Sequence, residues 1–331
     1  MARKEGLMSR HGRGVAALGL VVLWMAGGGA AARQAAPSPA TSKGQLDAAV
    51  RAGDTAQALA LAAQVVEATE GEHVEALYAA ARLHARLGHR EQAYLLLARA
   101  MSAGFFDRDR LLEDEAFAAY RGEDLFGSLS RRAWANGYIL LLERPNREDV
   151  QKSAEILKAL ALRPGERVAD IGAGSGYFTF QVADAVGPTG HVLALDIAPE
   201  MLQFLDMRVK ARKAANVTLR QVTRDDAQLP PGSVDTILMI DTIHYVKDRT
   251  AYARKLRPSL AEGGRLVVID YLPKPMSERP WGPPPEQQFP REQLDREMLA
   301  AGFRPSAAYD FLPEQFFVVY VPLHSRGTGE R

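Results

Sequence analysis

From about Val150 onward, short apolar runs alternate with stretches whose apolar residues recur every three to four positions. That alternation predicts a parallel sheet with crossover helices. Strands are expected over Arg167–Ile171, His191–Leu195, Val217–Gln221, Val234–Ile240 and Arg265–Tyr271. A helix is expected over Tyr177–Val186, and another opens at Pro199, where proline in the first turn and Glu200 suit a helix start. A helix over Arg291–Ala301 leads into two closing strands, Ser306–Phe311 and Phe316–Val321.

Upstream, from Gln45 to about Trp134, the chain is rich in Ala and Leu, with helical spacing and no strand pattern. An internal repeat runs through it. Arg51, Gly53, Gln57, Ala58 and Leu61 recur as Arg86, Gly88, Gln92, Ala93 and Leu96, each shifted by 35. Glycine suits the turn and alanine lets paired helices approach closely. The segment resembles tetratricopeptide repeats, whose period is about 34 residues. That resemblance implies either a groove for a protein partner or a helical cap on the following domain.

The N-terminus carries Arg3, Lys4, Arg10 and Arg13, then an apolar run from Val15 to Ala26, then small residues from Gly27 to Ala32. This order predicts a secretory signal peptide over residues 1–32, and hence a periplasmic or secreted protein. An uncleaved membrane anchor and a start at Met8 or Met25 are the alternatives. The run is short for a spanning helix, which needs about 20 apolar residues, so no stable membrane span is expected. Residues 33–44 read as a linker, 45–133 as the helical domain, 134–150 as a connecting segment, 151–323 as the α/β domain and 324–331 as a disordered tail.

Composition narrows the chemistry. The chain has 331 residues, 47% hydrophobic and 24% charged, with 41 basic against 40 acidic side chains and a net charge of +1. That is globular composition with no basic field that would recommend nucleic acid. There is no cysteine. Disulfides, thiolate metal sites, iron–sulfur clusters and cysteine nucleophiles are therefore excluded. The seven His are scattered, and no metal site is expected.

The chemistry concentrates after the first strand, at Gly172-Ala173-Gly174-Ser175-Gly176. Glycines there accept positive φ and let backbone approach a ligand at the carboxyl ends of the strands. The spacing is not that of a dinucleotide fingerprint, because Tyr177 stands where its third glycine belongs. Asp170 precedes the loop. Asp196, 24 residues after Gly172, ends the second strand, where a carboxylate can accept from ribose hydroxyls.

The run Val168-Ala169-Asp170-Ile171-Gly172-Ala173-Gly174-Ser175-Gly176 resembles the first motif of class I S-adenosylmethionine-dependent methyltransferases. Leu195-Asp196-Ile197 with Pro199-Glu200-Met201-Leu202 resembles their second. Asp225-Asp226-Ala227-Gln228-Leu229-Pro230 resembles an Asp-Ala-x-x-Leu-Pro segment whose Asp reaches the adenine amino group; spacing from Pro230 selects Asp225, with Asp226 next. Leu256-Arg257-Pro258-Ser259-Leu260 with Gly263-Gly264-Arg265-Leu266 resembles the lead into the fifth strand. The resemblance covers about Gln151 to Val321. It implies a Rossmann-like sheet of seven strands with the last antiparallel, and S-adenosylmethionine as cofactor. It also implies a binding set of Asp170, Gly172, Ala173, Gly174, Gly176, Asp196, Ile197, Asp225 or Asp226, and Asp241.

The reaction so implied is methyl transfer, with catalysis mainly by alignment. Asp241-Thr242-Ile243-His244-Tyr245, after the fourth strand, is expected to face the methyl group. No Asn/Asp-Pro-Pro-Tyr/Phe stands there, which argues against base-amino and amide methylation. The missing cysteines argue against cytosine C5 and thiol-based arsenite methylation. His244 is a candidate general base for a hydroxyl or amine, and Asp241 either a base or the group that orients His244. Asp241 binding the cofactor's amino-acid end, and His244 merely packing, are the structural alternatives.

Tyr271–Pro290 holds seven prolines around Trp281 and suggests a loop over the acceptor. Arg144-Pro145-Asn146-Arg147, with Trp134 and Tyr138, reads as a lead-in that closes over the cofactor. The acceptor, a small molecule or a protein, is not named by these residues. A non-catalytic exported scaffold that kept the fold is the alternative function.

Overall fold

The computed structural model describes residues 73–279 and 282–323, together with Gln45, Ala48 and Gln57. The expected signal peptide, linker and tail, most of the first repeat unit, and Trp281 lie outside the described residues. The chain divides into two compact units, with the boundary between Tyr138 and Ile139. Among the described residues no helix is long and apolar enough to cross a membrane.

In the first unit the described residues from 73 onward are helical and contain no strand. Residues 73–86 form α1, and α2 runs Arg90–Ser102. Gly88 makes the turn between them at φ 71°, a conformation that suits glycine. Short α3 (Arg108–Glu113) and a 3₁₀ turn (Glu115–Tyr120) lead into α4 (Asp124–Leu142). The core gathers Tyr78, Leu97, Phe105, Leu111, Phe117 and Phe126. Tyr78 stacks on Phe105 at 4.4 Å, and its hydroxyl donates to Asp114 Oδ2 at 3.0 Å, so the buried phenol is satisfied. Because α4 is continuous to Leu142, the change expected at residue 134 falls inside a helix.

The second unit is the expected Rossmann-like α/β layer structure. Its strands are β1 (Arg167–Ile171), β2 (His191–Asp196), β3 (Val217–Gln221), β4 (Val234–Ile240), β5 (Leu260–Tyr271), β6 (Phe303–Tyr309) and β7 (Gln315–Pro322). They form one seven-stranded sheet in the order β3-β2-β1-β4-β5-β7-β6. Only β7 runs against its neighbours, pairing antiparallel with both β5 and β6. Side chains alternate between two apolar layers. Ile237, Met239, Leu266 and Val268 face α9 (Arg249–Leu256) and α10 (Arg291–Ala300) through Tyr252, Leu256, Leu294 and Met298. Val168, Val192, Leu238 and Val267 lie on the other face with Ile156, Phe178, Val182 and Leu205. Those four come from α6 (Ser153–Leu160), α7 (Tyr177–Val186) and α8 (Pro199–Arg212); α5 (Arg147–Gln151) precedes them. Burial on both faces is why these strands read as unbroken apolar runs.

Two strand starts differ from expectation by three residues or more. β5 begins at Leu260 rather than Arg265, because Glu262-Gly263-Gly264 forms an irregular stretch against β4 between Val234 and Thr236 and does not end the strand. β6 begins at Phe303, three residues early, its ladder shifting at Pro305. The chain order reverses between β1 and β4, and the carboxyl ends of these strands open the cleft where such sheets bind ligands.

Candidate functional site

The glycine loop follows β1 directly. Gly172, Gly174 and Gly176 have φ of 79°, 54° and 86°, all left-handed. Gly172 and Ala173 donate their N–H groups to Leu195 O at 2.8 and 3.0 Å, which ties the loop to β2. Gly176 caps α7. The immediate reason for glycine is internal packing. A Cβ on Gly172 would overlap Thr242, one on Gly174 would sit 2.9 Å from Leu142 Cδ1, and one on Gly176 would overlap Leu205 Cδ1.

Asp196 ends β2 beside this loop. Its Oδ2 accepts from Gly174 N and its Oδ1 from Ala198 N, both at 2.9 Å. Burial pushes its carboxyl up, and the backbone N–H groups of Ala198, Gly174 and Ile197 pull it back. An ionised carboxylate offers about four acceptor positions. The backbone holds Asp196 in one orientation and leaves acceptor capacity for a diol. Ile197 next to it is 43% exposed, an apolar surface at the same strand end.

Asp170 is committed elsewhere. Its Oδ2 accepts from Thr179 Oγ1 at 2.6 Å, joining β1 to α7, and burial pushes its carboxyl up to about 6. Of the adenine candidates, Asp226 closes its own turn, with Oδ1 accepting from Gln228 N at 2.7 Å and Lys255 Nζ at 3.6 Å from Oδ2. Asp225 is exposed, and its carbonyl accepts from Lys255 Nζ at 2.9 Å.

Past β4, Asp241 is left-handed at φ 54°. Its carboxylate accepts from Tyr271 Oη at 3.2 Å and from Gln315 Nε2. Burial, reinforced by Asp270, pushes it up to about 6. Asp241 does not orient His244. That imidazole, on the 3₁₀ turn Ile243–Tyr245, meets Asp270 at the end of β5, with Nδ1 2.8 Å from Oδ1.

Several contacts here go beyond what the sequence shows, among them those of the expected lead-in residue Arg147 and of Arg279 in the expected loop. Glu143 Oε1 accepts from Ser175 Oγ and from Arg208 Nη1, both at 2.6 Å. The buried Arg147 lies over the Tyr177 ring at 3.9 Å and donates to Leu142 O at 2.6 Å. Gln151 Nε2 donates to Gln315 Oε1 at 3.2 Å. In the proline-rich loop, Arg279 lies over Tyr271 at 4.8 Å and donates to Leu272 O at 2.8 Å. Asp270 did carry a signal, an acid closing the otherwise apolar run Leu266–Ile269. Glu143 carried none.

Residues 162–299 match the family model of a methyltransferase domain. Among curated relatives, a demethylmenaquinone methyltransferase from a Geobacillus species is 27% identical over 116 residues, 35% of this chain and 50% of the relative. A ubiquinone/menaquinone biosynthesis C-methyltransferase from Ectopseudomonas mendocina is 32% identical over 33% of this chain and 43% of its own length. The chain thus spans half or less of the curated relatives it matches. The crystal structure of a SAM-dependent methyltransferase from Aquifex aeolicus superimposes with a TM-score of 0.52 and 26% identity, over 55% of this chain and 96% of that one. Fold, glycine loop and similarity together define a class I S-adenosylmethionine-dependent methyltransferase domain, an enzyme domain with S-adenosylmethionine as its cofactor.

Proposed function

We propose that the chain transfers a methyl group from S-adenosylmethionine to a small molecule bearing a hydroxyl or amine. The carrying observation is Asp196, whose two oxygens are both oriented by backbone N–H groups of the glycine loop and the start of α8. Asp196 would accept from the ribose hydroxyls, and Ile197 would flank the adenine. Asp225 or Asp226 would meet the adenine amino group, with Asp225 favoured by its exposed side chain. Gly172, Ala173, Gly174 and Gly176 would line the amino-acid end with Asp170 and Asp241 behind them. When bound, the cofactor supplies a sulfonium methyl group that takes up an electron pair of the acceptor while the carbon–sulfur pair stays on sulfur. His244 takes the proton that the acceptor loses.

Small-molecule acceptors are favoured by the relatives, which are named for arsenite, demethylmenaquinone and phosphoethanolamine. A chain without cysteine is poorly suited to the thiol chemistry of arsenite. For the first unit, the Gly88 turn between α1 and α2 and the buried Ala81 and Ala93 support a tetratricopeptide-like helix pair that offers a partner surface. Export remains part of the proposal on the N-terminal pattern alone. The exported scaffold is the second reading, because S-adenosylmethionine is a cytosolic metabolite; the intact Gly172, Gly174, Gly176 and Asp196 favour retained cofactor binding over it.

Calorimetry of the full chain with S-adenosylmethionine and S-adenosylhomocysteine tests the reading. Saturable one-to-one binding of both is expected. Binding of neither would return the chain to the scaffold alternative.

A further inference from the structure

His244 and Asp270 form a pair that alignment of cofactor and acceptor does not require. Asp270 is 1% exposed and His244 6%. The Asp270 carboxylate accepts three hydrogen bonds. His244 Nδ1 lies 2.8 Å from Oδ1 and 3.0 Å from Oδ2, His244 N donates to Oδ2 at 3.2 Å, and Tyr271 N donates to Oδ1 at 2.7 Å. β4 and β5 are paired up to Ile240 and Ile269, so the turn after β4 starts beside Asp270. The imidazole is flanked by Tyr245 at 4.0 Å and Tyr271 at 6.0 Å between ring centres. Ring and carboxylate are therefore both held in place.

An ionised carboxylate only accepts, so the nitrogen facing it must carry the proton. Nδ1 is then the N–H, and Nε2 keeps its lone pair. Nε2 has no hydrogen-bond partner among the described residues. A carboxylate needed only to cap the turn would be satisfied by His244 N and Tyr271 N. Contact of both its oxygens with the ring goes beyond capping. Burying a carboxylate this deeply costs several kcal/mol unless it is fully bonded, and the imidazole N–H completes the set.

We propose that Asp270 is the positioning residue of the active site, fixing His244 as the Nδ1–H tautomer so that Nε2 receives the acceptor's proton. The inference rests on the methyl-transfer reading above and restricts it to acceptors that arrive protonated, neutral hydroxyls or amines. In the step, the acceptor's lone pair forms the new bond to carbon, the carbon–sulfur pair leaves on sulfur, and the acceptor's proton moves to Nε2. The resulting imidazolium faces the Asp270 carboxylate, which neutralises it without itself taking the proton, and the proton then leaves to solvent.

Two measurements on the full-length protein decide it, and neither needs the acceptor. Long-range proton–nitrogen correlation of the ¹⁵N-labelled chain at mildly alkaline pH reads the His244 tautomer, with the resonance assigned by its loss in His244→Gln. The expected state is Nδ1–H with bare Nε2, changing to Nε2–H in Asp270→Asn, whose amide donates toward Nδ1. Acylation by diethyl pyrocarbonate, read by mass spectrometry at His244, reports whether Nε2 is a reachable base. Reaction should be about an order of magnitude slower in Asp270→Asn, where Nε2 is protonated. A histidine inert to the reagent in the unmodified protein would mean a merely structural pair. So would an Nε2–H tautomer there, or an unchanged tautomer in a folded Asp270→Asn. If Asp270→Asn does not fold, tautomer and reactivity of the unmodified protein still decide. Failure to bind S-adenosylhomocysteine overturns the methyl-transfer reading instead, and is seen in a separate titration.

Discussion

Asp241 shows how a single side chain can work against the stability of its domain. Its carboxyl is buried and pushed up to about 6, against about 3.9 in an unfolded chain. Between those values the native state holds a proton that the unfolded state has released, so stability falls as pH rises through this window. Above it the buried charge carries a constant penalty, about 3 kcal/mol at 1.36 kcal/mol per unit. Asp241→Asn should therefore raise the thermal midpoint at about pH 8 and change it little at about pH 4, as scanning calorimetry at the two pH values would read. An equal shift at both would mean that packing, not charge, sets the effect. At this scale the sequence was partly legible. Asp196 stood out because an acid ends an apolar strand at a fixed distance from a glycine loop. Of the roles open to Asp241, orienting His244 is the one the structure removes, because three residues along the chain says nothing about which neighbouring strand end an imidazole meets. Asp270, 26 residues away, meets it instead.

At the scale of elements, the strands were legible because parallel strands buried on both faces are apolar runs bounded by glycine, proline or acid. β1, β3 and β4 fall where the pattern put them. The early start of β5 was not legible, because paired glycines read as a turn while the sheet accommodates them as an irregularity. The role of the loop glycines was legible only in part. Their left-handed φ was expected, but their close neighbours are Thr242, Leu142 and Leu205 from three other segments. Gly176→Ala should lower stability by about 1–3 kcal/mol from backbone strain alone, with the overlap at Leu205 adding to it. Denaturant unfolding of Gly176→Ala, Leu205→Ala and the double variant isolates the overlap. The double variant should be more stable than the sum of the singles predicts. Strict additivity would show that Leu205 moves aside freely.

For the whole molecule, the α/β unit begins at Ile139, before the expected boundary at 151. The intervening residues read as a connecting segment whose Arg144–Arg147 stretch leads in over the cofactor, and the contacts they make are what no local pattern reveals. Glu143 holds Ser175, and Arg147 covers Tyr177, so the lead-in grips the glycine loop. A chain beginning at Asp124, which retains α4 whole, should bind S-adenosylhomocysteine like the full protein. One beginning at Gln151 should bind about tenfold more weakly, equivalent to about 1.4 kcal/mol. Equal affinities would make the lead-in dispensable.

If the cleft beside Asp196 holds S-adenosylmethionine, titration of Asp196→Ala with S-adenosylhomocysteine reads the loss of its ribose contacts. Each hydrogen bond to a charged group contributes about 1.5–3 kcal/mol, partly cancelled because water competes for both partners. Losing the pair to the ribose should therefore cost about 2–4 kcal/mol, or one and a half to three decades of affinity at about 1.4 kcal/mol per decade. Circular dichroism should show a folded protein, because Gly172 and Ala173 remain tied to Leu195 when the carboxylate is gone. That loss of affinity is expected in a folded variant, and unchanged affinity in a folded Asp196→Ala protein would mean that the cofactor's ribose does not sit at Asp196.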